Sequence, residues 1–271
     1  MISELLKFVL FLVFLLPSPL IAGAKFITVA STTSTQNSGL FDAILPIFSR
    51  HTGIEVRVIA VGTGAAIRLA RNGDADVLLV HHKASEEKFV ADGHGLYRLP
   101  LMYNDFVLIG PKSDPAEIRK SPNVSNALTR IMTRKALFVS RADDSGTYKR
   151  EVELWRAAQL FPKRHSGTWY REIGAGMGAA LNMAAAQNAY LLCDRSTWLS
   201  YANRQSLALL FVGGESLRNV YGVIPLAKSR HPHVKQAMAE EFVKWLGSTT
   251  GQAAIAAYKI DGEQLFFPLI H

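Results

Sequence analysis

ITVASTTSTQNSGLF, residues 27–41, decides how the rest of the chain is read. Ile27 to Ala30 is a short apolar run of the kind that forms a buried strand, and it empties into Ser31, Thr32, Thr33, Ser34 and Thr35 before an apolar pattern of helical spacing begins. One Ser or Thr at such a junction satisfies the free amides of the following helix as its N-cap. Five consecutive hydroxyl residues exceed that need, and the surplus requires a reason.

Outward from this segment, strand signals alternate with helical ones. EVRVIAV, DADVLLV, FVLIGP, ALFVS, AYLLC, LALLFV and YGVIPL are short β-branched or apolar runs, mostly separated by helical stretches such as GLFDAILPIFSRHTG and GAAIRLARNGD. The pattern predicts an α/β protein with largely parallel sheets. Pro46 predicts a kink inside the first helical stretch, and Asn72-Gly73 predicts a C-cap for the second. Two runs, LYRLPLMYNDFVLIGP and LRNVYGVIPLAKS, are longer than the other strands. Read as the two crossings of a hinge, they divide the chain into a discontinuous lobe I, residues 25–106 and 222–271, and a lobe II, residues 107–221.

Upstream, Lys7 precedes the apolar run Phe8 to Leu16, then Pro17 and Pro19, and Ala22-Gly23-Ala24 has the small-x-small pattern of a cleavage site. The run is shorter than the roughly 20 residues of a membrane span. Residues 1–24 therefore read as an export signal cleaved near Ala24, which places a soluble mature chain in the periplasm. The single cysteine, Cys193, rules out an intramolecular disulfide, and its place in AYLLC predicts a buried, inert thiol. The net charge of +8 comes from residues scattered singly among acidic ones, without a basic run or aromatic–basic interleaving. That distribution argues against nucleic acid and fits an anionic small ligand.

Three further strand-to-helix junctions answer the first. ALFVSRADDSGTYKREVELW passes through Ser140, Arg141, Asp143, Asp144, Ser145, Gly146 and Thr147 into an amphipathic helix. IAVGTGAAI places Gly62, Thr63 and Gly64 at a helix start, and GAGMGAALNMA places Gly174, Gly176 and Gly178 at another. Free amides, the helix dipole and short hydroxyls converge at such ends. Singly each is an N-cap or a tight turn; as a set that includes Arg141 they predict an anion site. A fully deprotonated tetrahedral oxyanion only accepts hydrogen bonds, so its cage needs N–H, O–H and guanidinium groups and no facing carboxylate. Phosphate, which keeps a proton near neutral pH, is better served when one carboxylate accepts it. Residues 31–35 contain no acid. Asp143 and Asp144 either meet such a proton or cap the next helix and orient Arg141, and the second role is the one expected.

Taken in order, STTSTQNSGLFDAILPIFSRHTGIEVRVIAVGTGAAIRLARNGDADVLLVH, LPLMYNDFVLIGPKSDPA, FVSRADDSGTYKREVELW, GAGMGAALNMA and AYLLCDRSTWL resemble the tungstate-binding protein family of ABC importers, through nearly the whole mature chain. The resemblance implies a two-lobed type II periplasmic-binding-protein fold, in agreement with the α/β pattern and the two-strand hinge. It implies a receptor that is not an enzyme, with no cofactor and no resident metal, whose ligand is tungstate or molybdate. Its partner would be an inner-membrane permease with its ATPase, approached by a monomer. The family's hydroxyl motif falls on Ser31, Thr32, Thr33 and Ser34, with Ser31 where the family has Thr. Its ligand-binding arginine falls on Arg141, followed by Ser145 and Thr147, with Ala142 where Gly is common. Thr63, Gly146 and Gly178 complete the expected oxyanion-binding set.

A phosphate or sulfate receptor would share this scaffold. An exported phosphate- or sulfate-ester hydrolase would use Ser145 or Thr33 as nucleophile, but it needs a nearby base, and no histidine accompanies either cluster in the sequence. His81 and His82 are adjacent at a strand end, point to opposite faces, and read as surface histidines unable to chelate together. Ser85 and Lys88 have Ser-x-x-Lys spacing without the companion motifs of a serine acylase. Trp155, Trp169, Trp198 and Trp245 read as core residues.

Overall fold

The computed structural model describes residues 25–270, and the leader assigned to residues 1–24 lies outside them. The opening strand β1 (Phe26–Thr32) is followed by a one-turn helix α1 (Thr33–Asn37) and by α2 (Leu40–Thr52). Leu40, Phe41, Ile44 and Phe48 form a buried stripe on α2, and the helix continues through Pro46 to Thr52. An interior proline costs about 3 kcal/mol, whereas burying each large apolar side chain contributes roughly 1.5–3 kcal/mol, so the stripe outweighs the break. Next come β2 (Glu55–Val61), α3 (Thr63–Asn72), β3 (Val77–Val80) and α4 (Lys83–Ala91). Gly73 closes α3 with φ 83°, the left-handed C-cap that Asn72-Gly73 predicted.

The long strand β4 (Leu99–Pro111) leads to α5 (Val124–Thr133), β5 (Phe138–Ser140), α6 (Gly146–Ala157) and β6 (Tyr170–Glu172). Then follow α7 (Met177–Gln187), β7 (Tyr190–Asp194), α8 (Arg195–Ser200), β8 (Leu207–Phe211) and β9 (Arg218–Pro225), before α9 (Gln236–Leu246) and α10 (Thr249–Ala257). The main sheet runs β2-β1-β3-β9-β4-β7-β5-β6. Pairing is parallel within β2-β1-β3 and within β7-β5-β6, but antiparallel wherever β4 or β9 takes part. The expectation of largely parallel sheets is corrected at these two strands. One carries the chain out of the first set of elements and the other brings it back, so they run against each other and against their neighbours.

β4 belongs to both halves. Leu99 to Asp105 pair with β9, while Phe106 to Ile109 pair with β7. The buried apolar residues sort the same way: two clusters draw on residues 27–102 and 221–266, and two on residues 106–217. The half-buried Leu199 on α8 packs against one cluster from each side. This is a two-lobed type II fold with a pair of crossing strands at its waist. Trp155, Trp169 and Trp198 are buried, and Trp245 packs half-buried on the first core. Cys193 is buried, and burial raises its thiol well above the usual range. No helix among the described residues is long and apolar enough to cross a membrane.

One buried acid in the second lobe is costly. Glu151 on α6 is 3 % exposed and accepts a 2.7 Å hydrogen bond from Tyr170 Oη. Burial pushes its carboxyl from 4.5 up to about 7. The folded state therefore holds a proton that the unfolded chain has released between these values, so the stability it contributes is full below about 4.5 and is lost as pH rises through about 7. Glu151→Gln is expected to raise the melting temperature by several degrees at pH 8, from a gain on the order of 1–3 kcal/mol, and by nothing at pH 4.5. Equal shifts at both pH values in a thermal melt would remove the ionisation argument.

Candidate functional site

The hydroxyl row at the end of β1 divides into distinct tasks. Ser31 is fully buried and donates to the Leu79 carbonyl at 2.7 Å, tying β1 to β3. Thr32 caps α1: its Oγ1 accepts from Thr35 N at 3.3 Å and lies 3.0 Å from Ser34 Oγ and 2.7 Å from Thr35 Oγ1. Thr33 and Ser34 face a cavity. The surplus of hydroxyls is thus one strand tie, one cap with its relay, and two groups presented outward.

At the second cluster Arg141 is 5 % exposed, and Asp143 Oδ2 accepts from its Nη2 at 2.6 Å and its Nε at 3.2 Å. Asp143 Oδ1 accepts from Ser145 Oγ at 2.5 Å, and Ser145 in turn caps α6 by accepting from Tyr148 N at 3.1 Å. Asp143 therefore holds the guanidinium, while Asp144 turns away to Arg68 and Lys149. Ala142 has φ 46°, the left-handed region that favours glycine, which gives a backbone reason for the glycine common there in the resembled family. Thr147 is 2 % exposed, and its Oγ1 has no partner among the described residues.

Thr63 and Gly146 meet across the lobes. Gly146 N donates to Thr63 Oγ1 at 2.9 Å, Gly64 N donates to the Asp144 carbonyl at 3.1 Å, and His82 Nε2 lies 3.1 Å from Glu153 Oε1. A Cβ on Gly64 would stand 1.4 Å from Asp144 Oδ2, so this approach depends on the missing side chain. These residues build the seam between α3, α4 and α6.

Beside the seam is a cavity of about 360 Å³ that gathers Thr33, Ser34, Arg141 and Gly178 with Asn37, Thr197, Ser200 and Tyr201. No carboxylate is among its described lining residues. A larger cavity, about 640 Å³ beside Tyr103, is lined by Asp105, Glu215 and Glu263 as well as Arg195 and Arg218, a poorer match for an anion. Of the sequence-predicted residues, Thr33, Ser34, Arg141 and Gly178 line the smaller cavity. Ser31, Thr32, Thr63, Ser145, Gly146 and Thr147 stand behind its wall or in the seam. Asn37, Thr197, Ser200 and Tyr201 were missed; the run CDRSTWL, a strand emptying into Asp194, Ser196 and Thr197, carries the same junction signal as the four that were read.

Two expectations about histidine are corrected. His81 is 6 % exposed rather than on the surface, because β3 is flanked by β1 and β9 and delivers its last residues into the waist. Its Nε2 lies 3.2 Å from Ser34 Oγ and its Nδ1 3.0 Å from Asn219 Oδ1, so a histidine does accompany the first cluster. His82 accepts from Ser85 N at 3.3 Å as the cap of α4, and its side chain is mostly buried.

Two α/β lobes joined by paired crossing strands, with hydroxyls and a guanidinium gathered beside their seam, define a solute-binding protein of the periplasmic-binding class. A family model for the PBP superfamily domain matches residues 22–250. The chain belongs to that superfamily and, within it, to the family of the tungstate-binding proteins TupA, being 44% identical over 246 residues to TupA of Peptoclostridium acidaminophilum, 89% of this chain and 85% of that one. The solved tungstate-binding protein TupA from Desulfovibrio alaskensis G20 is 42% identical, with TM-score 0.81 over 92% of this chain and 100% of its own. The tungstate ABC transporter structure from Geobacter sulfurreducens is also 42% identical, with TM-score 0.79 over 86% of this chain and 98% of its own.

Proposed function

We propose that this protein is the periplasmic substrate-binding component of an ABC importer, binding tungstate, and molybdate as a second ligand, and delivering the anion as a monomer to a permease with its ATPase. The observation that carries the reading is the donor-rich cavity: Ser34, Thr33, Asn37 and Thr197 around an Arg141 already oriented by Asp143, with no carboxylate among its described lining residues. Such a lining favours an anion with no proton to give away. Tungsten enters only as the oxyanion, and no cofactor or resident metal belongs to the reading. Calorimetric titration with tungstate, molybdate, sulfate and phosphate tests it; binding of none of them would end it.

Residues 25–106 with 222–271, and 107–221, are the lobes that close on the ligand in this reading, with the Thr63–Gly146 and Gly64–Asp144 hydrogen bonds as closure contacts. Small-angle scattering is expected to show a slightly smaller radius of gyration with tungstate than without. Superimposable profiles would replace hinge closure with a rigid pocket.

The Ser34, His81 and Asn219 arrangement is what favours a second reading, an exported ester hydrolase, since a hydroxyl beside an oriented imidazole is an activated nucleophile. Purified protein is expected to release no nitrophenol from p-nitrophenyl phosphate or sulfate. Turnover that disappears in Ser34→Ala would favour the hydrolase.

A further inference from the structure

A closed series of buried hydrogen bonds runs from one wall of the cavity, through both crossing strands, to the other wall. Asp194, fully buried at the N-cap of α8, accepts from Ser196 Oγ at 2.6 Å, Thr197 N at 2.9 Å and Thr197 Oγ1 at 2.7 Å. Ser196 has one proton and spends it there, so its Oγ accepts from Asn104 Nδ2 at 3.3 Å. Asn104 Oδ1 accepts from Asn219 Nδ2 at 2.7 Å, which leaves Asn219 Oδ1 to accept from His81 Nδ1 at 3.0 Å. The carboxylate can only accept, and it fixes the direction of every bond after it. The proton of the neutral ring is therefore on Nδ1, and Nε2 is a bare acceptor 3.2 Å from Ser34 Oγ. Ser34 donates to it, which aims the hydroxyl proton away from the anion cavity.

An acceptor-only oxyanion needs that proton aimed the other way. We propose that His81 is the positioning residue of the anion site, and that it takes up one proton at Nε2 when the anion binds, so that Ser34 accepts from the ring and donates to the ligand. This rests on the anion-receptor reading above. The new N–H bond forms with a proton from solvent, Ser34 keeps its own proton and rotates it, and nothing else in the series changes direction. The protonated ring is already accommodated, since Nδ1–H keeps Asn219 and Nε2–H gains Ser34 Oγ.

The surroundings hold the ring for this task. Its centroid lies 4.8 Å from that of Tyr221 on β9, with the rings tilted by 34°, and 6.3 Å from that of Phe106 on β4. At the start of α6, a Cβ on Gly146 would come within 2.9 Å of its Cε1. Burial brings the His81 imidazole down to about 4; the Asp194 carboxylate opposes that, while Arg141 and His82 reinforce it. Tyr221 is itself held neutral by burial. His81 also borders a second cavity of about 390 Å³, not lined by Ser34, whose charged lining is His82, Lys83, Glu87, Arg150, Glu153 and Arg218. His81 lines that cavity and not the anion cavity, so solvent there borders the ring. Without ligand, burial keeps the ring neutral near neutral pH, and a dianion arriving beside Ser34 adds the negative charge that raises it.

The test is calorimetry of tungstate binding at pH 6 and pH 8 in pairs of buffers of different ionisation enthalpy, which counts protons exchanged per anion. Wild-type protein is expected to take up a fraction approaching one proton at pH 6 and less at pH 8, with affinity strengthening by up to about tenfold per pH unit as pH falls. In His81→Gln the amide N–H can serve Ser34 without titrating, so binding is expected within about tenfold of wild type and with the residual uptake belonging to the anion alone. Ser34→Ala is expected to lose most of the uptake while keeping the ring. Tungstate binding by wild type without proton uptake, or the same uptake in His81→Gln, overturns the proposal and leaves the receptor reading intact. Absence of any oxyanion binding by wild type overturns both. A wild-type count near zero overturns the proposal even if a variant fails to fold, and either His81→Gln or Ser34→Ala alone assigns a positive count to the ring.

Discussion

Arg141→Ala is expected to weaken tungstate binding by on the order of tenfold to several thousandfold, the equivalent of about 2–5 kcal/mol for a charged hydrogen bond to a buried dianion. The upper part of that range is the expected one. Arg141 is 5 % exposed, so no solvent takes over its role, and its removal leaves Asp143 facing the cavity region with only Ser145 as a side-chain donor. A loss of attraction is then joined by a new repulsion. Arg141→Lys is expected to recover part of the loss, since a point charge replaces a planar fork that Asp143 now holds through two nitrogens. Titration calorimetry measures both variants. A dissociation constant unchanged in Arg141→Ala would remove the residue from the site.

The second large effect separates ligand classes. With ligand at about 1,000 times its dissociation constant, the folded state gains roughly 4 kcal/mol, which for a protein of this size is on the order of 10 °C in melting temperature. Tungstate and molybdate are expected to give that shift, sulfate a smaller one because it fills the cage less well, and phosphate the least. The phosphate expectation follows from the wall itself. Its proton would find only the neutral oxygens of Ser34, Thr33 and Asn37, weaker acceptors than a carboxylate, while Asp143 is occupied by Arg141 and Ser145 and Asp144 by Arg68 and Lys149. A thermal-shift panel at equal anion concentration reads this directly. A dominant phosphate shift would require one aspartate to leave those partners and enter the cavity, and would replace the tungstate reading with phosphate binding.

Local signals carried the reading furthest. The N-cap at Thr32, the C-cap at Gly73 and the apolar stripe of α2 are set by neighbours within one or two helical turns. The junction that presents Arg141 was legible for the same reason. Nonlocal pairing was not. Nothing in DADVLLV shows that β9, about 140 residues later, inserts between β3 and β4, so the antiparallel waist was missed. His81 was misread because a polar residue at a strand end is ordinarily solvated, and its partners Ser34 and Asn219 lie 47 and 138 positions away. Asn104, Asn219 and Asp194 are unremarkable singly, and only the pairing of β4 with β9 and β7 puts them in one hydrogen-bonded series.

The place of β9 also sets an order of assembly. It lies between β3 and β4, so the sheet of the first lobe cannot be completed until residues 218–225 have emerged. Residues 106–217 contain their own two apolar clusters and the strands that pair around them. A chain released from its N-terminus onward can therefore finish the later lobe while β1, β2 and β3 wait with an open edge, exposed to aggregation until β9 arrives. The half begun first is then expected to close last, so that a chaperone acting on the nascent polypeptide has most to shield at its beginning.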